Sequence, residues 1–254
     1  MYKDGSAGDA NYELIGNSYS DFRKPETKIL EVILSQLGNA HSVLNVGAGT
    51  GSYEPRGLNI TAVEPSSTMR AQRPKELKPA VDAMAEDLPF ADKTFDASTS
   101  IFSIHQWKDL SKGLAEMRRV TQGKVILMSC LPDKVCDYWL YDYAPLILEI
   151  EAKRFPSKDE IEDGLNQKVN LIQVPIPLNC SDGFNEAYYG RPEHLLNKNA
   201  RQSCSSWSFV DNSLADEYVR NLKNDIESGK WDLKYGNLRK TNFYLGSLYL
   251  FVTI

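Results

Sequence analysis

The sequence predicts an α/β fold in which a mostly parallel sheet is covered by helices on both faces. Three observations carry this prediction. Short β-branched apolar runs alternate with segments of helical period through the first half of the chain. A glycine-rich turn, Gly47-Ala48-Gly49-Thr50-Gly51, follows the first of those runs directly. A length of 254 residues, 42% of them hydrophobic and 25% charged, is enough to bury a sizeable core in one large domain.

The elements follow in order. Up to about Arg23 the chain is polar and turn-rich. Pro25 suits the first turn of a helix; Ile29, Leu30, Ile33 and Leu37 give it an apolar stripe, and Gly38 is placed to end it. Residues 42–46 read as a buried strand that opens into the glycine turn. Residues 58–63 read as a second strand ending on Glu64, and Pro65-Ser66-Ser67 as the start of a helix. A third strand is expected near residues 80–84 and a fourth over 95–101. Residues 108–120 read as a helix with Leu110, Leu114, Met117 and Val120 on one face and Asp109 as its cap. A fifth strand is expected over 124–130.

The second half is less regular. A helix is expected over 156–165 and a strand over 168–176. Residues 179–241 form a long aromatic-rich insertion with one amphipathic helix, in which Leu214, Tyr218, Leu222 and Ile226 share a face and Gly229 follows. Residues 243–254 are apolar enough for a buried last strand. The whole is read as a single domain, 1–254, with 179–241 as a cap inserted before that strand.

Composition narrows the partners. A net charge of −5 and a pI near 5.4 argue against sequence-independent nucleic-acid binding, which needs a basic footprint. Apolar runs such as residues 125–128 fall far short of the roughly 20 residues that span a bilayer. The first residues lack the basic-then-apolar pattern of a secretory signal, so a cytoplasmic location is expected. Cys130, Cys136, Cys180 and Cys204 show no CxxC spacing and read as reduced thiols, with a thiol-based metalloid site or one disulfide as the alternatives. His41 and His194 show no metal-ligand spacing, and no metal is expected.

The glycine turn carries chemistry. Glycines between a strand and a helix let a ligand approach the main chain closely. Glu64, at the end of the next strand, can accept both hydroxyls of an adenosine ribose. Dinucleotide folds favour GxGxxG, whereas here the spacing is GxGxG, with Ser52 at the dinucleotide position. That spacing tips the reading toward S-adenosylmethionine, which has no pyrophosphate to seat on a helix N-terminus.

With these residues in view, the chain resembles the class I S-adenosylmethionine-dependent methyltransferases, in particular the small-molecule branch of the ubiquinone/menaquinone-biosynthesis and trans-aconitate methyltransferases. The resemblance runs from about Tyr12 to Leu131 and rests on four motifs in order. It implies a Rossmann-like fold with a central seven-stranded sheet, and S-adenosylmethionine as cofactor with S-adenosylhomocysteine as product. From the glycine turn it implies that Gly47, Ala48, Gly49 and Gly51 contact the methionine moiety; Asn45 stands where an acidic residue is common. From Ala62-Val63-Glu64-Pro65-Ser66-Ser67-Thr68-Met69 it implies that Glu64 binds the ribose, that Pro65 lies near the adenine, and that Met69 is the family's recurring methionine. Ala83-Met84-Ala85-Glu86-Asp87-Leu88-Pro89-Phe90 resembles the adenine loop through Ala85 and Glu86, with Met84 in place of the common aspartate. The fourth motif, residues 95–107, implies that Ser100 and Ile101 line the cofactor and that His105 sits in the loop leading to the acceptor. By a softer match, Arg23 resembles an arginine that pairs with the methionine carboxylate, and Tyr12 and Tyr19 lie in the segment that closes over the cofactor.

Methyl transfer is an in-line displacement at a sulfonium carbon, accelerated by alignment of acceptor, methyl and sulfur. His105 is the leading candidate for a general base. The acceptor pocket is expected from Tyr138 and Tyr141 after the fifth strand and from Tyr188, Arg191 and Trp207 in the insertion, with Tyr19 as a lid. Dense aromatics with an arginine suggest a small planar or anionic acceptor. The competing readings are an RNA- or protein-modifying methyltransferase, a non-catalytic S-adenosylmethionine-binding regulator, and a nicotinamide-dependent oxidoreductase.

Overall fold

The computed structural model describes residues 19–254, with the side chains of Tyr19 and Ser20 outside the description. The expected lid residue Tyr12 and the side chain of the other, Tyr19, therefore lie outside the described residues. In chain order, α1 (Tyr19–Phe22) and α2 (Thr27–Leu37) precede β1 (Ser42–Val46), β2 (Asn59–Val63) and α3 (Ser67–Ala71). Next come β3 (Ala97–Ile101), α4 (Leu110–Val120) and β4 (Val125–Cys130). Then follow α5 (Pro132–Val135), α6 (Pro145–Arg154), α7 (Lys158–Leu165), β5 (Val169–Gln173) and β6 (Ile176–Pro177). The chain continues through α8 (Lys198–Gln202), α9 (Asn212–Glu227) and α10 (Lys230–Tyr235) to β7 (Phe243–Tyr244) and β8 (Leu248–Thr253).

The main sheet has six strands in the order β2-β1-β3-β4-β8-β5; β6 and β7 form a separate two-stranded ribbon. β2, β1, β3 and β4 are mutually parallel, and β8 runs antiparallel to both β4 and β5. The expected count of seven is corrected to six: near residues 80–84 only a single parallel bridge forms, between Val63 and Val81. Pro74 and Pro79 flank the segment before it, and proline cannot donate to a strand ladder.

The buried strands explain the uninterrupted apolar runs. In β4, Ile126, Met128 and Cys130 pack on one side of the sheet with Ile29 and Ile33 of α2. Val125 and Leu127 pack on the other with Leu114 and Met117 of α4. Both faces are covered, so no position of β4 is left for a polar outward residue. Capping follows the sequence closely. Asp109 caps α4 by accepting from Lys112 N–H at 2.9 Å. The first helix differs in one respect: Glu26, next to Pro25, is the cap of α2, accepting from Lys28 N–H at 3.1 Å.

Residues 178–242 leave the sheet edge through β6 and return through β7. Their short helices pack on residues 138–144 rather than standing apart. Tyr138 Oη donates to the Asn185 carbonyl and Trp139 Nε1 to the Tyr189 carbonyl, both at 2.9 Å.

Candidate functional site

β1 lies between β2 and β3, so the direction in which strands are added reverses there, and the crevice beyond the C-terminal ends of β1 and β3 is where such sheets bind ligands. The glycine turn closes one side of this crevice. Gly47 and Ala48 both donate N–H to the Val63 carbonyl at 2.9 Å, which ties the turn to the end of β2. Gly47 has φ +69°, and a Cβ there would meet Ser103 Oγ at 1.8 Å, so only glycine fits. Gly49 N–H donates to Glu64 Oε2 at 2.7 Å, and Ser66 N–H donates to Glu64 Oε1 at 2.8 Å. Burial raises the Glu64 carboxyl from its usual range, against those two bonds.

A second brace lies beneath the turn. Asn45 Nδ2 donates to Glu54 Oε1 at 3.0 Å, and Arg73 donates to both Glu54 oxygens at 3.0 and 2.6 Å. Arg73 and Glu54 are each only 4% exposed, so this is a buried ion pair. Asn45, where an acid was expected, thus reaches a carboxylate through its amide. The loop of residues 85–90 is pinned to α4: Glu116 accepts from Leu88 N–H at 3.0 Å, and Arg119 donates to the Leu88 and Phe90 carbonyls.

These parts enclose a cavity of about 260 Å³. Of the sequence-predicted cofactor residues, Arg23, Gly47, Ala48, Gly49, Glu64, Pro65, Met69, Ala85, Glu86 and Ile101 line it. Gly51 is in the turn but not in the wall; at φ +87° its missing side chain makes room for Leu77. Ser100 is corrected: it is fully buried on the opposite side of β3 from Ile101, as alternation along a strand requires, and does not reach the cavity. Glu86 lines the cavity while accepting from Lys108 and Asp109 N–H at 2.8 and 3.1 Å. Met84 is 39% exposed at the rim.

A smaller cavity of about 50 Å³ adjoins the first. Arg23 and Phe102 line both. Phe102 holds the left-handed φ of +53°, a strained conformation for a bulky residue, and its ring sits 5.2 Å from that of Phe184. The Arg23 guanidinium lies over the Phe102 ring at 5.1 Å and pairs with Asp182 from the 178–242 segment, Nε to Oδ1 at 2.5 Å. Tyr53 Oη donates to the other Asp182 oxygen at 2.9 Å.

Among the sequence-predicted acceptor residues, His105 and Tyr138 line the smaller cavity. His105 packs edge-on to Phe155, and its Nδ1 is buried without a hydrogen-bond partner. Burial, with Arg154 and Arg23 nearby, holds its pKa well below the usual histidine value, so it is neutral at pH 7. Four expected acceptor residues lie elsewhere. Tyr141 is 38% exposed and donates to Glu149 at 3.0 Å. Tyr188 stacks on His194, centroids 5.3 Å apart. Arg191 Nη2 is spent on the Cys180 and Ala187 carbonyls, both at 3.0 Å. Trp207 Nε1 donates to Asn185 Oδ1 at 3.1 Å. Tyr188, Arg191 and Trp207 find their partners inside the 178–242 segment, so the aromatic density there builds structure.

Sequence reasoning missed Phe102, Asp182, Glu151 and Glu186. Glu186, buried, and Glu151, half-buried, are carboxyls in the smaller cavity's wall, both pushed upward by desolvation, Glu186 to about 7. The signal for Glu186 was present as a lone charge within Phe184-Asn185-Glu186-Ala187-Tyr188. The four cysteines are free; Cys130 and Cys204 line the smaller cavity, and burial raises both thiols. Among the described residues no helix is long and apolar enough to cross a membrane.

Comparison with known proteins agrees with this geometry. A family model described as a methyltransferase domain matches residues 44–129. The demethylmenaquinone methyltransferase of Renibacterium salmoninarum is 40% identical over 94 residues, 34% of this chain and 39% of its own. That of Thermotoga maritima is 28% identical over 155 residues, covering 54% of this chain and 67% of its own. The matched stretch therefore spans well under half of the first relative and about two thirds of the second. A crystal structure from Anabaena variabilis, of a protein named as a methyltransferase from an antibiotic biosynthesis pathway, superposes with a TM-score of 0.83 at 28% identity. It covers 92% of this chain and 99% of its own.

Proposed function

Because this chain belongs to the class I S-adenosylmethionine-dependent methyltransferases, we propose that it transfers a methyl group from S-adenosylmethionine to a small-molecule acceptor. The observation that carries the proposal is the pair of adjoining cavities, divided by Arg23 and Phe102. One suits the methyl donor and the other suits what receives the methyl.

The residues of the larger cavity fit the donor. Each Glu64 oxygen accepts one backbone N–H, which leaves a lone pair on each for the two hydroxyls of a ribose. Pro65, Met69, Met84 and Ile101 offer apolar surface for the adenine. Arg23, held in place by Asp182, lines the cavity where its positive charge would meet the methionine carboxylate. When bound, S-adenosylmethionine supplies an activated methyl on a positively charged sulfur and leaves as neutral S-adenosylhomocysteine. The chain's own work is to hold that methyl against the acceptor and to exclude water, which Phe102 and Phe184 do at the junction.

The acceptor proposed here is aromatic: Phe102, Tyr138, Phe155 and Phe184 line the smaller cavity. The anionic alternative loses its support with Arg191, which does not line the smaller cavity and whose Nη2 donates to the Cys180 and Ala187 carbonyls. The chain acts as one unit, with residues 179–241 as the part that chooses the acceptor. We place it in the cytoplasm, acting on neither nucleic acid nor membrane.

Titration with S-adenosylmethionine and with NAD in a calorimeter tests the reading. The expected result is saturable binding of S-adenosylmethionine alone; tight NAD binding with no S-adenosylmethionine heat overturns it. A metabolite screen read by mass shift then identifies the acceptor.

A further inference from the structure

We propose that Glu186 is the catalytic base, taking the proton from the hydroxyl of a single-ring aromatic acceptor seated in the smaller cavity. The inference rests on the methyltransferase reading and moves the base from His105 to a residue of the 178–242 segment.

Geometry places Glu186 for this role. It lies beyond the C-terminal end of β4, where Leu131 N–H donates to the Ser247 carbonyl, and its carboxylate is pressed against the Gly246–Ser247 backbone. A Cβ on Gly246 would come within 2.6 Å of Glu186 Oε1. Both Glu186 oxygens accept from Ser247 N–H, at 2.9 and 3.1 Å, and the Ser247 side chain also bonds to the carboxyl. A carboxylate has about four lone-pair sites, so Glu186 keeps acceptor capacity facing the cavity. Glu151, the other carboxyl of the wall, accepts instead from Asn185 Nδ2 at 2.7 Å.

His105 completes the arrangement. Its Nδ1 is buried in the wall of the smaller cavity without a partner and needs a polar group from a ligand. A hydroxyl answers both residues at once, donating to Glu186 and meeting His105 with its oxygen. A carbon nucleophile answers neither, and the lining rings of Phe102, Tyr138, Phe155 and Phe184 favour an aromatic hydroxyl over an aliphatic one. The aromatic walls and the small volume limit the ligand to about one ring.

The groups facing Glu186 are Glu151 from α6, Asp137 and Tyr138 from the segment after α5, Cys130 from β4 and Tyr244 from β7. Arg23, His105 and Cys204 share the cavity. Burial and the two neighbouring carboxylates favour the protonated form of Glu186, which is the form the reaction leaves behind.

The step balances. The acceptor's O–H bond breaks, its electron pair stays on oxygen and the proton bonds to a Glu186 oxygen. The oxygen pair forms the new O–CH₃ bond as the methyl–sulfur bond breaks with its pair on sulfur. Glu186 returns its proton to solvent after the product leaves.

The probe is 4-nitrophenol, whose phenolate form absorbs visible light, added to protein saturated with S-adenosylhomocysteine at about pH 7, where Glu186 is partly ionised and can take the probe's proton. Wild type should bind it and show the phenolate band. E186Q should bind about tenfold more weakly, the value of one hydrogen bond to a charged group, and show the neutral band. H105Q should keep the phenolate band. 4-Nitroanisole, which has no proton to give, should respond equally in wild type and E186Q. Should E186Q fail to bind S-adenosylhomocysteine, E186D carries the test, and it should retain part of the phenolate band. Identical spectra and affinities for wild type and the Glu186 variant, or no binding of 4-nitrophenol to the loaded protein, overturn the proposal while the methyltransferase reading stands. Failure of wild type to bind S-adenosylhomocysteine overturns both.

Discussion

Arg23 and Asp182, 159 positions apart in the chain, form one buried ion pair at the mouth between the two cavities. Asp182 is 2% exposed and the arginine side chain 11%. The same contact is backed by the main chain, since Gly183 N–H donates to the Phe22 carbonyl at 2.8 Å. Removing one side of a buried pair costs about 3 kcal/mol because the other charge stays behind. D182A should therefore lower the unfolding free energy by about that amount, and it should weaken S-adenosylmethionine binding by misplacing Arg23. Chemical denaturation and calorimetry check the two effects separately.

Glu64 accepts from Gly49 and Ser66 N–H and faces the place proposed for the ribose. E64A should reduce S-adenosylmethionine affinity by about a hundredfold, the value of two hydrogen bonds to a charged group at about 1.4 kcal/mol each. Unchanged affinity in a calorimetric titration would refute the ribose assignment. E64Q should lie between, since its amide keeps one acceptor oxygen.

Arg73 and Glu54 act beneath the glycine turn without lining the acceptor side. R73M should destabilise the protein by about 3 kcal/mol through the stranded Glu54 carboxylate. The double variant R73M/E54L should recover part of that loss, because a buried pair replaced by apolar groups of similar volume is often neutral. Thermal and urea melts of the two variants measure the difference.

The buried acid and the buried histidine impose opposite pH dependences. Glu186 titrates near 4.5 when unfolded and about 7 when folded. Between these values the folded state holds a proton that the unfolded state has lost, so stability from this group falls as pH rises through that window. His105 has a folded pKa below its unfolded 6.5, so its contribution is lost as pH falls through 6.5. In melts between about pH 5 and pH 8, the stability advantage of wild type over E186Q should shrink with rising pH, and that over H105Q should grow.

The larger cavity was legible in the sequence because most of its lining lies between residues 45 and 108, where spacing encodes geometry. Gly47, Gly49 and Glu64 fall on a strand–turn–helix unit whose backbone demands are local. Ser100 was misplaced for a reason that is also local: adjacent strand positions face opposite sides, and only Ile101 faces the crevice. The acceptor side was not legible. Aromatic density pointed to Tyr188, Arg191 and Trp207, yet these find their partners in His194, the Cys180 carbonyl and Asn185 of the same segment. Glu186 faces the cavity only because it packs on Ser247, 61 positions later. No periodicity records such a contact.

The place of β8 has a consequence for how the molecule comes into being. It is the last strand of the sheet to be synthesised, yet it belongs between β4 and β5. Until residues 243–253 leave the ribosome, β4 has an open edge and β5 has no neighbour in the sheet. The donor crevice, built from residues 45–108 with Arg23 and Asp182 added at its mouth, can take shape early on a growing chain. The acceptor cavity waits for Ser247. A nascent chain stalled before β8 should bind nucleoside weakly, methylate nothing and expose a strand edge prone to association.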